Sequence, residues 1–247
     1  MSANWNRPPA GEPWVPVTLK LLTGEGCRKL EVNDCRLITY LLLEHMGKGG
    51  QHNGHLKAPR RQLRAFGIGT HQISPTIQRV EEAGFIRVHR GGMRVATTYT
   101  LSWIPPREGG KAHRMAAGER WTWLTRELLA SNAWRSLGVN EFKLIVFLLI
   151  QHMKHAGKQN GKLLAPYRLL EEFGVCSRRL AATIRKLEDL GLIDCFRGGM
   201  RVATTYALTW LPMHDGTPSS NKWRDYHNPN LKPLPQPSAR TPEGLAA

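Results

Sequence analysis

The ten residues Arg90-Gly-Gly-Met-Arg-Val-Ala-Thr-Thr-Tyr99 occur a second time, letter for letter, as residues 197–206, 107 positions later. They lie inside a longer repeat, because residues 30–105 align with residues 137–212 without a gap and 37 of the 76 pairs are identical. A self-match of this length indicates a duplicated folding unit. Upstream the match weakens but continues, since Trp14 pairs with Trp121. We therefore expect two like-built units of about ninety residues, a usual size for a small domain.

The repeat divides the chain of 247 residues into five segments. The linker carries Gly109-Gly110 and mixed charge, and the tail is rich in Pro, Ser and Asn with almost no apolar periodicity, which predicts a disordered tail. Two domains suit the length, and each is expected to build its own core. The segments are an N-terminal arm (1–13), unit 1 (14–106), a linker (107–120), unit 2 (121–213) and the tail (214–247).

The net charge of +16 is carried mainly by the two units. Unit 1 has 13 basic and 6 acidic residues, and unit 2 has 13 basic and 7 acidic residues. Because the excess lies on folded segments, it creates a standing positive field that favours a polyanionic partner.

Cysteine usage and hydropathy exclude several other classes. The four cysteines form no CxxC pair, and each aligns with another residue type in the other unit, so neither a disulfide framework nor a zinc knuckle is expected. The longest apolar runs, at 37–43 and 144–150, are too short to span a bilayer. The polar first residues do not resemble a signal peptide. We expect a cytoplasmic protein that has no membrane partner.

Each unit is expected to begin its shared plan with a long helix. Asn33-Asp34 and Asn140-Glu141 offer an N-cap followed by an acidic residue at the positive end of the helix dipole. The helix is apolar on nearly every face over 37–43 and 144–150, unlike the one-sided stripe of a surface helix. This pattern indicates burial either between the two units or at a homodimer contact.

The remaining elements are described for unit 1, and the same signals lie 107 positions later in unit 2. Asn53-Gly54 predicts a turn before a very short strand at Leu56. A second helix follows Pro59 and stops at Gly67. After a tight turn, a third helix runs from Thr70 to Gly84, so that the two helices have the helix-turn-helix spacing.

Two strands around Gly91-Gly92 then form a hairpin. Alternation along the return strand predicts that it turns six side chains to the core: Val95, Tyr99, Trp103, Val202, Tyr206 and Trp210.

Pro75 disturbs the third helix of unit 1, because it lies five residues past the proposed cap and removes a helical hydrogen bond. Either the helix begins later, with Ser74 as its cap, or its first turn is irregular. Unit 2 has Ala182 at this position and no such difficulty.

This order of helix, short strand, helix, turn, helix and hairpin resembles the winged-helix family of helix-turn-helix proteins. Two such units in tandem are similar in plan to bacterial plasmid and phage replication initiators and regulators. The resemblance covers about three quarters of the chain and rests on element order rather than on an invariant motif. It implies a mainly α fold with small β-hairpins, an α+β class, built as two tandem winged-helix domains from an internal duplication.

The resemblance implies that the third helix enters the major groove of double-stranded DNA and that the hairpin, or wing, lies along the backbone or in the minor groove. Gln pairs well with adenine and Arg with guanine. The implied base-reading residues are His71, Gln72, Thr76, Gln78 and Arg79 in unit 1, and Arg178, Arg179, Thr183, Arg185 and Lys186 in unit 2. The implied wing residues are Arg90, Arg94, Arg197 and Arg201. Among the outward positions of the third helix only Thr76/Thr183 is unchanged, whereas the wing is identical. We expect two unlike half-sites on one duplex, with shared backbone contacts.

The expected function is sequence-specific DNA binding by a transcriptional regulator of a bacterium or mobile element, located at the nucleoid. A plasmid or phage replication initiator that binds origin repeats is the first alternative, and a winged-helix protein-interaction module in a larger assembly is the second. Phosphate-binding loops, nickase histidine clusters and repeated carboxylate pairs are absent from the sequence, so we expect no enzyme and no cofactor. His45 and His152 are matched, but no ligand partner stands at metal-site spacing, so no metal is expected.

Overall fold

The computed structural model describes residues 8–92, 95–104, 118–199 and 202–234. Unit 1 comprises β1 (Trp14–Thr18), α1 (Leu19–Thr23), α2 (Glu25–Lys29), α3 (Val32–Gly47), α4 (Arg60–Ala65), α5 (Ile73–Glu82), β2 (Ile86–His89) and β3 (Thr98–Leu101). Unit 2 repeats the order as β4 (Trp121–Thr125), α6 (Arg126–Ala130), α7 (Asn132–Arg135), α8 (Val139–Lys154), β5 (Leu163–Leu164), α9 (Tyr167–Glu172), α10 (Leu180–Asp189), β6 (Ile193–Phe196) and β7 (Thr205–Leu208). Short 3-10 turns occupy Thr70–Gln72, Ser177–Arg179 and Lys222–Arg224.

The predicted α+β class is confirmed, because helices dominate and the strands form small antiparallel sheets. β2 pairs with β3 in unit 1, and unit 2 has a three-stranded sheet in the order β5-β7-β6. In unit 1 the position of β5 is taken by a single bridge between Leu56 and Tyr99, as the sequence predicts. Each unit thus has a helix, a short strand or bridge, two further helices and a hairpin.

In both units the N-cap of the long helix lies two residues before the predicted cap. Glu31 is the N-cap of α3, and the Asp34 carboxylate accepts a hydrogen bond from the Glu31 amide at 2.8 Å. α8 begins after Gly138. The prediction of Asn33 and Asn140 as caps is wrong. In unit 1 the Asp34 side chain reaches back to the earlier residue Glu31, and in unit 2 the extended Gly138 takes the cap position.

The third helix opens irregularly in both units. Residues Thr70–Gln72 and Ser177–Arg179 form a 3-10 turn before α5 and α10 begin. Pro75 therefore lies in the first turn of α5, where backbone amides have no helical partner to lose. Unit 2 has the same opening without a proline. Pro75 is therefore compatible with the irregular first turn but is not its cause.

The hairpin strands are shorter than the sequence predicts. β3 and β7 begin only at Thr98 and Thr205. Tyr99, Tyr206 and Trp210 are buried and Trp103 is half-buried, but Val95 and Val202 are 65% and 63% exposed. The prediction that these valines face the core is wrong, because strand alternation does not extend to residues that precede the paired region.

The two units exchange their N-terminal segments. β1 pairs antiparallel with β4, α1 contacts the long helix α8 of unit 2, and α6 contacts the long helix α3 of unit 1. We call residues 14–30 and 121–137 the crossed segments. Buried side chains from both units form one hydrophobic cluster. The expectation that each unit builds its own core is wrong, because each core is completed by the crossed segment of the other unit.

The crossed segments also decide between the two explanations of the apolar long helices. Residues 37–42 of α3 and 144–150 of α8 are buried within the single chain, and α3 and α8 contact each other. Burial between the two units is confirmed. The alternative explanation, a homodimer contact through residues 37–43 and 144–150, is therefore wrong, because these apolar faces are already buried within one chain.

The first part of the tail is ordered. Trp223 is 2% exposed, and the Arg224 guanidinium contacts the Glu127 carboxylate at 2.6 Å. Asn228 donates to the Ser136 hydroxyl at 2.9 Å, and Arg135 donates to the Lys232 carbonyl at 2.7 Å. The predicted disorder is wrong for residues 214–234, because one buried tryptophan and these polar contacts hold the segment against α6 and α7. Residues 235–247 lie outside the described residues, as do 1–7 of the arm and 105–117 of the linker region.

One side chain clamps the return strand of each hairpin. The Asn160 amide donates to the carbonyls of Leu208 and Leu211, both at 2.9 Å, and its oxygen accepts from the Leu208 amide at 2.7 Å. Asn53 makes the same three contacts in unit 1, to Leu101 and Ile104. Asn160 is fully buried, whereas Asn53 is partly exposed.

Asn160→Ala should lower the free energy of unfolding by about 2–4 kcal/mol, because it leaves buried backbone groups without partners. Urea denaturation followed by circular dichroism measures this change. Asn53→Ala is the matched control and should cost less, since water reaches that site. An unchanged denaturation midpoint for Asn160→Ala would contradict the clamp.

Among the described residues, none of the helices has the combination of length and apolar character that crossing a bilayer requires.

Candidate nucleic-acid interface

The third helix of each unit packs on that unit's long helix, α5 on α3 and α10 on α8. Ile73, Thr76 and Val80 form the buried side of α5, and Thr183 and Leu187 form that of α10. Thr76 is 0% and Thr183 is 2% exposed. The prediction that these threonines face outward is wrong, because they share the helical face of the neighbouring apolar residues.

Two of the implied base-reading cations are held by carboxylates of their own unit. The Arg79 guanidinium lies 2.9 Å from the buried Asp34 carboxylate and 3.1 Å from that of Glu31. The hydrogen bond to Asp34 raises the pKa of Arg79. At the matching position, Lys186 Nζ lies 3.6 Å from the Glu141 carboxylate. Both pairs tie the third helix to the start of the long helix, so they act within the fold.

Three arginines at the start and on the outer face of α10 are different. Arg178, Arg179 and Arg185 are exposed, and none forms an ion pair with a described residue. Arg185 Nε donates only to the Ala181 carbonyl, at 3.4 Å. Their guanidinium groups are therefore free to contact phosphate or guanine.

The equivalent positions of unit 1 carry no arginine or lysine. His71 and Gln72 are exposed, and the Gln78 amide donates to the Glu82 carboxylate at 2.8 Å. These three residues take the places of the three arginines of unit 2. The two third helices therefore present different chemistry, as the sequence predicts.

Unit 1 instead carries its cations on α4, which the interpretation of the sequence missed. Arg60, Arg61 and Arg64 are exposed and form no ion pair among the described residues, and Leu63 between them is buried. A helix with one buried leucine among three arginines turns those arginines to solvent, so the run Arg60-Arg-Gln-Leu-Arg64 contained the signal. The matching positions of α9 are Tyr167, Arg168 and Glu171, with little net charge.

The wing arginines that the structure describes are tied to the third helix. Arg90 lies 3.7 Å from the Glu81 carboxylate and Arg197 lies 2.5 Å from that of Glu188, and these pairs occupy matching positions. Arg90 and Arg197 stay mostly exposed at their side chains, 80% and 65%. They fix the hairpin to the end of the third helix and keep donors available. Arg94 and Arg201 lie outside the described residues.

Comparison with known proteins finds no matching family model, no similar curated protein and no similar solved structure.

The outer face of the unit 2 sheet differs from that of unit 1. Leu164 and Phe196 both pair with Thr205, so the three side chains form one row across β5, β7 and β6. Leu164 is 46% and Phe196 44% exposed. Unit 1 has Lys57 and His89 at the matching positions. The units therefore differ in charge beside the wing as well as on the third helix.

The matched histidines are buried in the long helices. His45 and His152 are each 1% exposed, whereas His155, the nearest histidine to His152 in sequence, is exposed at the end of α8. Within the part of the chain that the structure describes, no group of three or more His, Cys, Asp or Glu side chains is placed to hold a metal ion. Burial lowers the pKa of His152 to about 4.

His152 should make the fold sensitive to acid. A histidine that is neutral in the folded state and titrates near its ordinary pKa of 6.5 in the unfolded state supplies stability above that pH. The contribution, about 3 kcal/mol, is lost as the pH falls from about 6.5 to about 4. Denaturation midpoints of wild type and His152→Gln, measured across this range, should diverge as the wild type weakens faster. Parallel curves would contradict this prediction.

Proposed function

We propose that the protein binds double-stranded DNA in a sequence-specific manner through two winged helices, and that it is a transcriptional regulator encoded by a bacterium or a mobile element. The order of elements supports this proposal, because each unit has two helices joined by a tight turn and then a hairpin. That arrangement presents a helix and a wing side by side, as winged-helix DNA binding requires.

One observation carries the proposal: Arg178, Arg179 and Arg185 are exposed on the third helix without a carboxylate partner among the described residues. Other cations on this surface of unit 2, including Lys186 and Arg197, do have carboxylate partners. Arginine contacts guanine through two parallel hydrogen bonds, and phosphate through the same donor groups. A third helix with three free guanidinium groups is therefore suited to the major groove.

The arginines of α4 extend the proposal to unit 1. In helix-turn-helix proteins the helix before the recognition helix crosses the DNA backbone. Arg60, Arg61 and Arg64 would then contact phosphate, while His71, Gln72 and Gln78 face base edges. Unit 1 would thus gain affinity mainly from the backbone, and unit 2 would gain more of its affinity from bases.

A replication initiator needs the same specific duplex binding, and it remains the first alternative. The two are distinguished in the cell, because loss of an initiator abolishes replication of its own plasmid or prophage whereas loss of a regulator changes transcript levels. The protein-interaction alternative is favoured by one observation, the exposed row of Leu164 and Phe196 on unit 2. That row has no counterpart in unit 1.

Fluorescence anisotropy with the full chain tests the proposal. Random duplexes should bind at low salt with a steep salt dependence, the log-log slope being about 0.9 per phosphate neutralised. Duplexes selected from a random library should bind more tightly than the random pool at every salt concentration. A chain that ignores duplex DNA at low ionic strength would remove this proposal in favour of the protein-interaction alternative.

A further inference from the structure

The pairing of β1 with β4 has two-fold symmetry. Adding 107 to a residue of β1 gives its counterpart in β4, so the pair Trp14–Thr125 corresponds to the pair Thr18–Trp121, and both pairs occur in the ladder. The central pair, Pro16 and Trp123, corresponds to itself. A ladder with this register has a local two-fold axis through its centre. Two units related in space by a translation alone would not form such a ladder.

The symmetry extends beyond the strands. The Leu19 amide donates to the Arg120 carbonyl at 2.8 Å, and the matching Arg126 amide donates to the Pro13 carbonyl at 2.8 Å. The rings of Trp14 and Trp121 stack at 5.5 Å across the axis. The two hydrogen bonds lie at opposite ends of the β1–β4 pair, so the two-fold relation holds along its whole length.

Contacts between helices obey the same relation. The Arg28 guanidinium lies over the Phe173 ring at 5.7 Å, and its counterpart Arg135 lies over Phe66 at 5.4 Å. Phe66 and Phe173 end α4 and α9, directly before the turn to the third helix. The crossed segments therefore contact the helix-turn-helix elements directly, each on the other unit.

Double-helical DNA has two-fold axes perpendicular to its own axis, and a protein with matching symmetry binds half-sites in opposite orientation. We propose that one copy of this chain binds an inverted pair of unlike half-sites on one duplex, with the pseudo-two-fold axis of the protein at the centre of the site. This inference rests on the proposed DNA binding, and it adds the arrangement of the site.

The free arginines make the half-sites unlike. Unit 2 has Arg178, Arg179 and Arg185 on its third helix, so its half-site should contain guanines. Unit 1 has His71, Gln72 and Gln78 there, so its half-site should differ in sequence. The target is therefore an imperfect inverted repeat, and a single chain suffices to occupy it.

The test uses the full chain and the sequence selected from a random duplex library. Four duplexes are compared. The first carries the two selected half-sites as found, and the second has one half-site reversed, which gives a direct repeat. The third has both half-sites reversed, and the fourth has one half-site scrambled. The selected inverted arrangement should bind about 100-fold or more tightly than the other three, because two rigidly joined modules gain that much when both engage. Native mass spectrometry should find one chain per duplex.

Two variants assign each unit to its half-site. The Arg178→Ala/Arg179→Ala variant should bind the intact site more weakly than the wild type does. On a duplex whose guanine-containing half-site is scrambled, the variant and the wild type should have nearly equal affinities. His71→Ala/Gln72→Ala, at the matching positions of unit 1, should show the reverse dependence, because these side chains face base edges in the proposal. Equal affinity for the direct and inverted repeats, or two chains per duplex, would overturn the inferred arrangement while DNA binding stands. Failure to bind any duplex would remove both.

Discussion

Replacing Arg178 and Arg179 together by alanine should weaken binding to the selected duplex by about 100-fold, since each good arginine contact with a base contributes about 1–3 kcal/mol. Both side chains are exposed and lack a carboxylate partner among the described residues, so the change should not alter the fold. Binding to random duplexes should fall much less, because phosphate contacts elsewhere remain. Anisotropy titrations on both duplexes measure the two losses.

Lys154→Ala/Lys158→Ala is the charge-matched control. These lysines are exposed at and beyond the C-terminal end of α8, whereas α10 is tied to the start of that helix by Lys186 and Glu141. A helix of 16 residues is about 24 Å long, so the control removes the same charge at a distance. It should change affinity several-fold at most. If the Arg178→Ala/Arg179→Ala variant lost affinity equally on selected and random duplexes, these two arginines would contact phosphate rather than bases.

Trp134→Ala should lower the free energy of unfolding by about 3–5 kcal/mol, because it empties a large buried site in α7. Trp134 is 5% exposed and packs against Phe142 and Trp210 of its own unit. Its indole also donates to the Thr39 hydroxyl of unit 1 at 3.2 Å. Since this side chain belongs to both cores, the whole chain should unfold in one shifted transition.

The matched control for Trp134 is its counterpart Cys27, which is also buried but much smaller. Cys27→Ala should cost about 1 kcal/mol, since little volume is removed. Denaturation is followed by far-ultraviolet circular dichroism and by tryptophan fluorescence. Two separate transitions, of which only one moves in Trp134→Ala, would show that the units unfold independently and would contradict the exchange of the crossed segments.

Local signals in the sequence predict the elements of each unit well. Gly67 and Gly174, the predicted helix stops, have φ of +93° and +87°, a region that glycine enters freely. Asn53 and Asn160 are the predicted turn residues, and they also clamp the return strand. The burial of Thr76 and Thr183, which were wrongly predicted to face outward, also follows from the helical period of their neighbours. These features depend on residues close together in sequence, so the sequence contains them.

Contacts between distant segments do not follow from the sequence in the same way. Trp14 and Trp121 indicate that the segments around them pack against a helical core. They do not indicate which one, because an apolar side chain fits the long helix of either unit equally well. Trp223 gives no periodicity by itself, although it anchors residues 214–234. The free or paired state of each arginine depends on acids far away in sequence, such as Asp34 for Arg79. These choices are decided by tertiary packing.

The interlocked arrangement of the crossed segments is what a symmetric homodimer becomes when its two copies are joined into one polypeptide. In a homodimer every mutation appears twice, so both halves must keep the same surface. After fusion each half accumulates its own changes while the shared interface preserves their geometry. The arginines on α4 of unit 1, and those on and directly before α10 of unit 2, are differences of this kind, because the matching positions of the other unit carry mostly other residue types.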